Sequence, residues 1–577
     1  MPTPFFDEEF TFTNPDGSTI QVRGWGNQHY AVFETLDGYT VVKDPETGFY
    51  KYATLSEDKN DLVPTDVTVG EADPKSLGLR PHIRIRRDSA KQKAKSSPLQ
   101  QGDQPRWQTR RQKKKADLRH LMPATPPEAM PLADTTVGNY VGLCILIAFP
   151  DAPATITRQE VIDFCNKPGY SGFGNNGSVR DYFDNVSGAK LTYTNVVTNY
   201  YTAQHNRAYY TDPAISYGTR ARQLIVEALD HLKGQGFNFS QLTSDSGGYF
   251  YALNVFYAGP SVNNWSEGLW PHAWVLASPY DVGGGKKFKD YQITNMGSQL
   301  TLRTFCHENG HMVCNYPDLY DYGGESAGVG HFCLMCYGGN NKNPVQVCAY
   351  LKNEAGWAKK VTSLTPGLSA SISAGQNDFC VFTKNETEYF IFENRQQSGR
   401  DAFLPDGGLV IWHVDEEGSN NNEQMTPSQH YECSLEQADN RFDLERNANA
   451  GDSEDLFGSP YKTQFSASTA PNSKWWDGGN SGLKIAEISE PAAVMTFTVA
   501  PTAGWINSKL VQHTYGHANT VYAFAIIESL SGWKRIAPVS ADGVTNVLKT
   551  LNVAKANGRR VNVYVGADNQ IHAAVML

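Results

Sequence analysis

The sequence predicts an α+β chain of several domains. At 577 residues it is too long for a single hydrophobic core. Hydrophobic residues make up 40% and aromatic residues 12% of it, enough to pack cores and to exclude wholesale disorder. Apolar residues recur with period 2 in some stretches and at helical spacing in others. The character of the chain changes at boundaries that divide it into 1–79, 80–136, 137–360, 361–500 and 501–577.

Residues 1–79 read as a β-rich unit. FTFTNPDGSTIQVRGWG and YAVFETLDGYTVVKD each suit two strands, around turns at Asp16-Gly17 and Asp37-Gly38. Residues 80–136 include RRDSAKQKAKSSPLQQGDQPRWQTRRQKKKADL, basic and poor in apolar residues. That composition predicts a disordered linker whose Arg-Arg and Lys-Lys-Lys are targets for trypsin-like proteases. Structure resumes with YVGLCILIAFPD, a buried strand. TRQEVIDFC and SVRDYFDNVS suit short helices, the second capped by Ser178. LTYTNVVTNYYTA and YFYALNVFYAG are strand-like, and TRARQLIVEALDHLKGQG is a helix with a glycine stop. In 361–500 the short runs FCVFTKN, TEYFIFENR, GGLVIWHVD and MTFTVA predict a β-sandwich-like domain. Residues 501–577 read as a small β-rich module with one helix near VTNVLKTLNVAKANG.

The net charge of -10 argues against a nucleic-acid partner. No window approaches 18 uninterrupted apolar residues, so no membrane span is expected. MPTPFFDEEF lacks the pattern of an ordinary secretory signal. None of the nine cysteines precedes Cys144, and five, Cys306, Cys314, Cys333, Cys336 and Cys348, crowd one window. The expectation is structural disulfides with at least one thiol left over.

The chemistry concentrates in FCHENGHMVCNYPDLYDYGG, residues 305–324. On a helix His307 and His311 share one face and can hold one ion, with Glu308 beside the first as general base toward a water. Gly310 costs about 1 kcal/mol of helix propensity relative to alanine, which points to close packing there. A catalytic zinc takes three protein ligands, and PDLYDYGGES supplies Asp318, Asp321 and Glu325. In HFCLMCYGG, Met335 suits either a methionine turn beneath the metal or an ordinary core position. Tyr337, two residues on, suits either an oxyanion donor or a core tyrosine.

These residues resemble the immune-inhibitor-A-like family of secreted zinc metallopeptidases. HENGHMVCNYPDLYDYGG, LMCYGG and NPVQVCAYLKNEAGW carry the likeness, with SVRDYFDNVSGAKLTYTNV, GLWPHAWVL, FIFENRQ, LPDGGLVIWHVDE and HYECSLEQAD around them. PDGSTIQVRGWGNQHYAVFETLDGYTVV looks like the family's propeptide. The resemblance covers the chain to about residue 500 and implies a zincin-type catalytic domain: a mixed sheet, an active-site helix and a cleft for extended substrate. It implies an extracellular endopeptidase acting on proteins or peptides, made as a zymogen and expected to be a monomer. By position, His307 and His311 become zinc ligands and Glu308 the base. Cys314 stands where the family has glycine, and Pro-Asp arrives one residue late, so Asp318 is taken as third ligand with Asp321 as runner-up.

His272 in WPHAW is a candidate to line the cleft. The family's calcium loop is reduced here to Asp245, so calcium is not predicted there, and Asp452, Glu454 and Asp455 form a weaker candidate. The first unit has no cysteine, which excludes a cysteine switch and leaves a carboxylate or simple occupancy of the cleft. Trp505 and Trp533 in the last module could bind glycans or surfaces. The rival reading is a catalytically silent secreted binding protein on the same scaffold, and the joint presence of His307, Glu308 and His311 argues against it.

Overall fold

The structure is a computed structural model that describes residues 3–100, 102–121, 135–421, 426–500, 504–518, 520–530, 533–566 and 570–577. It is mixed α and β, with five sheets among the described residues.

The first unit is an antiparallel meander: β1 (Phe5–Thr13), β2 (Thr19–Gly26), β3 (Ala31–Thr35), β4 (Thr40–Lys43), β5 (Tyr50–Leu55) and β6 (Leu62–Thr68), paired in chain order. Gly17 and Gly38 take positive φ at the two expected turns, where a side chain would be strained. Phe5, Phe12, Val22, Phe33, Tyr50 and Tyr52 form its core.

Among the described residues, the segment expected to be a disordered linker is largely helical. Helix α1 spans Arg87–Ser96 and α2 spans Arg106–Leu121; residue 101 and residues 122–134 lie outside the described residues. Composition misled because the partners of these basic side chains lie in other domains. Arg106 pairs with Asp245 at 3.2 Å, Arg111 with Glu354 at 2.8 Å and with Glu432, and Lys115 with Glu432 at 2.7 Å. Arg111 is only 9% exposed, so Arg110-Arg111 is not an open protease target, whereas Arg86-Arg87 is exposed.

The next domain holds a five-stranded sheet in the order β10-β11-β9-β7-β8. Its elements are β7 (Gly138–Ala148), α3 (Arg158–Asn166), α4 (Val179–Ser187), β8 (Leu191–Thr202), α5 (Arg207–Tyr210), α6 (Thr219–Gly234), β9 (Leu253–Tyr257), β10 (His272–Gly283), β11 (Lys286–Asn295), α7 (Leu302–Cys314) and α8 (Ala349–Glu354). Strands β8, β7, β9 and β11 run parallel, and β10 closes one edge antiparallel to β11. From Gly142 to Ala148 strand β7 is buried on both faces, which is why its second half is a continuous apolar run. Cys144, Leu146 and Ala148 face the core that includes α7, whereas Leu143, Ile145 and Ile147 face the core that includes α6. Ser178 caps α4 in a reciprocal capping box with Asp181.

Two further sheets form the sandwich-like unit. One is β12 (Lys360–Ser363), β14 (Asp378–Thr383), β15 (Glu388–Arg395), β16 (Gly408–Asp415) and β17 (Cys433–Leu435). The other is β13 (Ser369–Ser373), β20 (Val494–Val499), β19 (Lys484–Ala486) and β18 (Phe465–Ser466). Phe390, Phe392 and Ile411 from the first meet Phe497 and Ile485 from the second. The last module orders its strands as β23 (Lys534–Arg535), β22 (Ala523–Ile527), β21 (Gly504–Gly516), β24 (Arg560–Val565) and β25 (Ile571–Met576), with α9 (Ala541–Ala556) against them.

No helix among the described residues is long and apolar enough to cross a membrane. All nine cysteines are free and buried, which corrects the expected disulfides. They serve as small apolar groups in the cores.

Candidate functional site

Helix α7 carries HENGH and is buried along its whole length. A polar network fixes it to the sheet. Asn309 donates to Asn254 of β9 at 2.8 Å and accepts from Tyr193 of β8 at 2.5 Å, and Gln292 of β11 joins through Asn254. These bonds tie the helix to three strands of the sheet and so set its position on them. Beyond Cys314 the chain turns at Asn315, which adopts the left-handed conformation (φ 60) that asparagine tolerates. This turn redirects the chain, and Asp318 comes back to within 3.1 Å of both histidines.

The three expected ligands converge. Nε2 of His307 lies 3.0 Å from Oδ1 of Asp318, Nε2 of His311 lies 3.1 Å from the same oxygen, and the two Nε2 atoms are 3.2 Å apart. Donors around a tetrahedral zinc at its usual bond lengths stand about 3.3 Å from one another. The other ring nitrogens are committed: Nδ1 of His307 donates to the Leu334 carbonyl at 2.9 Å, and Nδ1 of His311 to that of Tyr316 at 2.6 Å. In the neutral imidazoles Nε2 therefore carries a lone pair. Three lone pairs so close repel unless a cation or a proton stands among them, so the donor set fits zinc.

The charges follow the same geometry. Burial pushes Asp318 up, but His311 and His307 outweigh it and hold this carboxylate far below its ordinary range. Burial opposes charge on His311, yet Asp318 beside it raises its pKa to about 9. Burial pushes Glu308 up, against the pull of the two histidines, as suits a general base.

Met335 lies directly under the motif. A Cβ on Gly310 would stand 2.7 Å from its sulfur, so glycine is required for this approach. The same strap supplies the Leu334 carbonyl to His307. Asp321, the alternative ligand, is turned away: its carboxylate accepts from the Gly323 amide at 2.7 Å and shares a hydrogen bond with Glu325.

Two expectations are corrected. His272 does not line the cleft. It is fully buried, with Nδ1 2.8 Å from the Trp270 carbonyl and Nε2 3.0 Å from the Tyr291 hydroxyl, so both nitrogens are used in the core. Tyr337 does not face the three ligands. Its ring packs on Phe6 and His331, and it lines a separate cavity of about 270 Å³ with Asp321 and Glu325. Of the weaker calcium candidate, Asp452 and Asp455 cluster with Asp439, and Arg441 lies 3.3 Å from Asp439 and 3.8 Å from Asp452 and also pairs with Glu454. Asp245 is engaged by Arg106 and Arg110.

Several residues of the site had no signal in the sequence. The Tyr322 hydroxyl donates to Oδ2 of Asp318 at 2.7 Å. Trp107 of α2 stacks on His311, with ring centres 4.7 Å apart. Asp290 of β11 caps α2, accepting from the Arg106 and Trp107 amides at 2.7 and 3.1 Å. Glu308, His311, Asp318 and Tyr322 line a cavity of about 170 Å³ whose other walls are His29, Gln100, Trp107 and Asp290. The N-terminal sheet and the helical segment thus cover the cleft. Only the motif spacing of Tyr322 could have hinted at a role; the rest depend on contacts between distant segments. No family model matches the chain, and no curated protein does.

Proposed function

We propose that the chain is a zinc-dependent endopeptidase of the immune-inhibitor-A-like kind, secreted and held latent by its own first 121 residues. The observation that carries this reading is the convergence of His307, His311 and Asp318 to within 3.2 Å beside Glu308. A mixed sheet with an antiparallel edge strand beside the motif helix supports a zincin-type domain. Zinc at this site supplies Lewis acidity and lowers the pKa of a water to about 7. His307 and His311 would hold it, oriented by the Leu334 and Tyr316 carbonyls, and Asp318 would complete the set, oriented by Tyr322. Glu308 takes a proton from the attacking water and returns it to the leaving amine. The amide of Ala273 on the edge strand β10 points away from β11 and can pair with an extended substrate backbone.

Hydrolysis of quenched casein tests the reading. With the first 121 residues removed by cleavage, activity is expected that 1,10-phenanthroline abolishes and zinc restores. Glu308→Ala should lose about 10²–10⁴ of the rate while still binding zinc. A trimmed, zinc-loaded protein that cleaves neither casein nor short peptides would favour the binding-protein alternative.

A further inference from the structure

The covering segments need not act by bulk alone. The turn between β2 and β3, Asn27-Gln28-His29-Tyr30, is anchored to three separate parts of the catalytic domain. Asn27 donates its amide to the Tyr322 carbonyl at 3.1 Å, and its own carbonyl accepts from the Trp265 indole at 3.0 Å. Gln28 accepts from the Ala273 amide on β10 at 3.1 Å, using the hydrogen bond that an extended substrate would need. Within the turn the Asn27 side chain accepts from the His29 amide at 2.8 Å, which fixes the direction of the histidine.

The result is a buried imidazole on the wall of the metal-site cavity. His29 is 8% exposed, and its ring centre lies 4.6 Å from that of Tyr322, the residue that orients Asp318. Its Nε2 faces the side-chain amides of Gln100 at 3.1 Å and Gln28 at 3.5 Å. Its Nδ1 is buried with no hydrogen-bond partner among the described residues. The Gln28 oxygen is committed to the Ala273 amide, whereas the Gln100 amide can turn its oxygen to Nε2, and Nδ1 then carries the lone pair. Burial lowers the pKa of His29 to about 4, which keeps the ring neutral and able to act as a donor. A buried ring nitrogen left without a partner is costly, and this ring lines the same cavity as His311 and Asp318.

We propose that His29 is the latency ligand of this protein: an imidazole that the N-terminal domain presents to the fourth side of a metal held by His307, His311 and Asp318. It would do the work of a switch thiol in a domain that has none. Trp107, stacked on His311, would close the other wall. This inference rests on the zinc reading above.

The test uses the full-length chain, stripped of metal and loaded with cobalt(II), whose visible absorption reports its ligand set. His29→Phe keeps a ring against Tyr322 but removes both nitrogens, and His29→Ala leaves a gap that free imidazole can fill. The expected result is a cobalt spectrum that changes in both variants and returns when imidazole is added to His29→Ala. Metal affinity, read by chelator competition, should fall about 10-fold or more in both. Cobalt bound with the same spectrum and affinity in all three proteins would overturn the role of His29 and leave the peptidase reading intact. No cobalt bound by the wild-type chain would overturn both. Circular dichroism of each variant checks that the fold is kept.

Discussion

Tyr322 donates its hydroxyl proton to one oxygen of Asp318, which leaves the other oxygen to the two histidines. Removing that bond frees the carboxylate to rotate. Tyr322→Phe should therefore weaken zinc binding about 10–100-fold in a chelator competition. Tyr337→Phe should leave the affinity unchanged, because that ring packs on Phe6 and His331. Gly310 makes a different point at the same scale. Alanine would gain about 1 kcal/mol of helix propensity in a free helix. Here its Cβ meets the Met335 sulfur at 2.7 Å, and Met335 is fully buried and cannot swing out. Overpacking of that kind costs about 1–3 kcal/mol. Calorimetry on Gly310→Ala should show a lower Tm, and an unchanged or raised Tm would mean that the methionine strap yields.

At the scale of elements, α2 forms one wall of the cavity beside His311. Its sequence offers no apolar face, and it is held instead by cation–carboxylate contacts on the motif-bearing and sandwich-like domains. Arg111 is the centre: it reaches Glu354, Glu432 and the Tyr350 hydroxyl while nearly buried. Truncating one partner of a buried pair costs about 3–5 kcal/mol, much of it from the charges left behind. Arg111→Ala should loosen α2, seen as faster hydrogen exchange across 106–116. In the folded wild-type chain, brief trypsin treatment should spare Arg110 and Arg111 and cut first at the exposed Arg86, Arg87, Lys93 or Lys95. Early cuts at Arg110 or Arg111 would show that the helix opens readily.

For the whole molecule, pH acts in two directions. Burial and the neighbouring Asp321 raise the pKa of Glu325 to about 8. A carboxyl raised on folding stabilises fully below its unfolded value, about 4.3, and that contribution is lost as pH climbs through the folded value. Stability should thus fall between about pH 5 and 8, and Glu325→Gln should flatten the slope of Tm against pH. Glu432 behaves oppositely. Burial works against its charge, but Arg111 and Lys115 outweigh it and lower its pKa to about 2. Its contribution is present above about pH 4.3 and is lost as pH falls toward 2. Because Glu432 holds α2, acid should release the helix from the cleft.

What the sequence determined by itself was local. Turns at Gly17 and Gly38, the capped helix at Ser178, the two-faced strand at 138–148 and the histidines one turn apart on α7 follow from backbone preference and spacing alone. The close packing at Gly310 was legible for the same reason. The tertiary structure decided whatever depends on a distant partner. It chose Asp318 over Asp321, because the left-handed turn at Asn315 aims the chain and Tyr322 fixes the carboxylate. It buried His272 between Trp270 and Tyr291 and turned Tyr337 toward Phe6. It made helices of a basic stretch whose charges look unpaired until Asp245, Glu354 and Glu432 are brought against them from hundreds of residues away. Spacing along a chain encodes neighbours within a few turns, whereas charge neutralisation and burial are set only when separate segments meet.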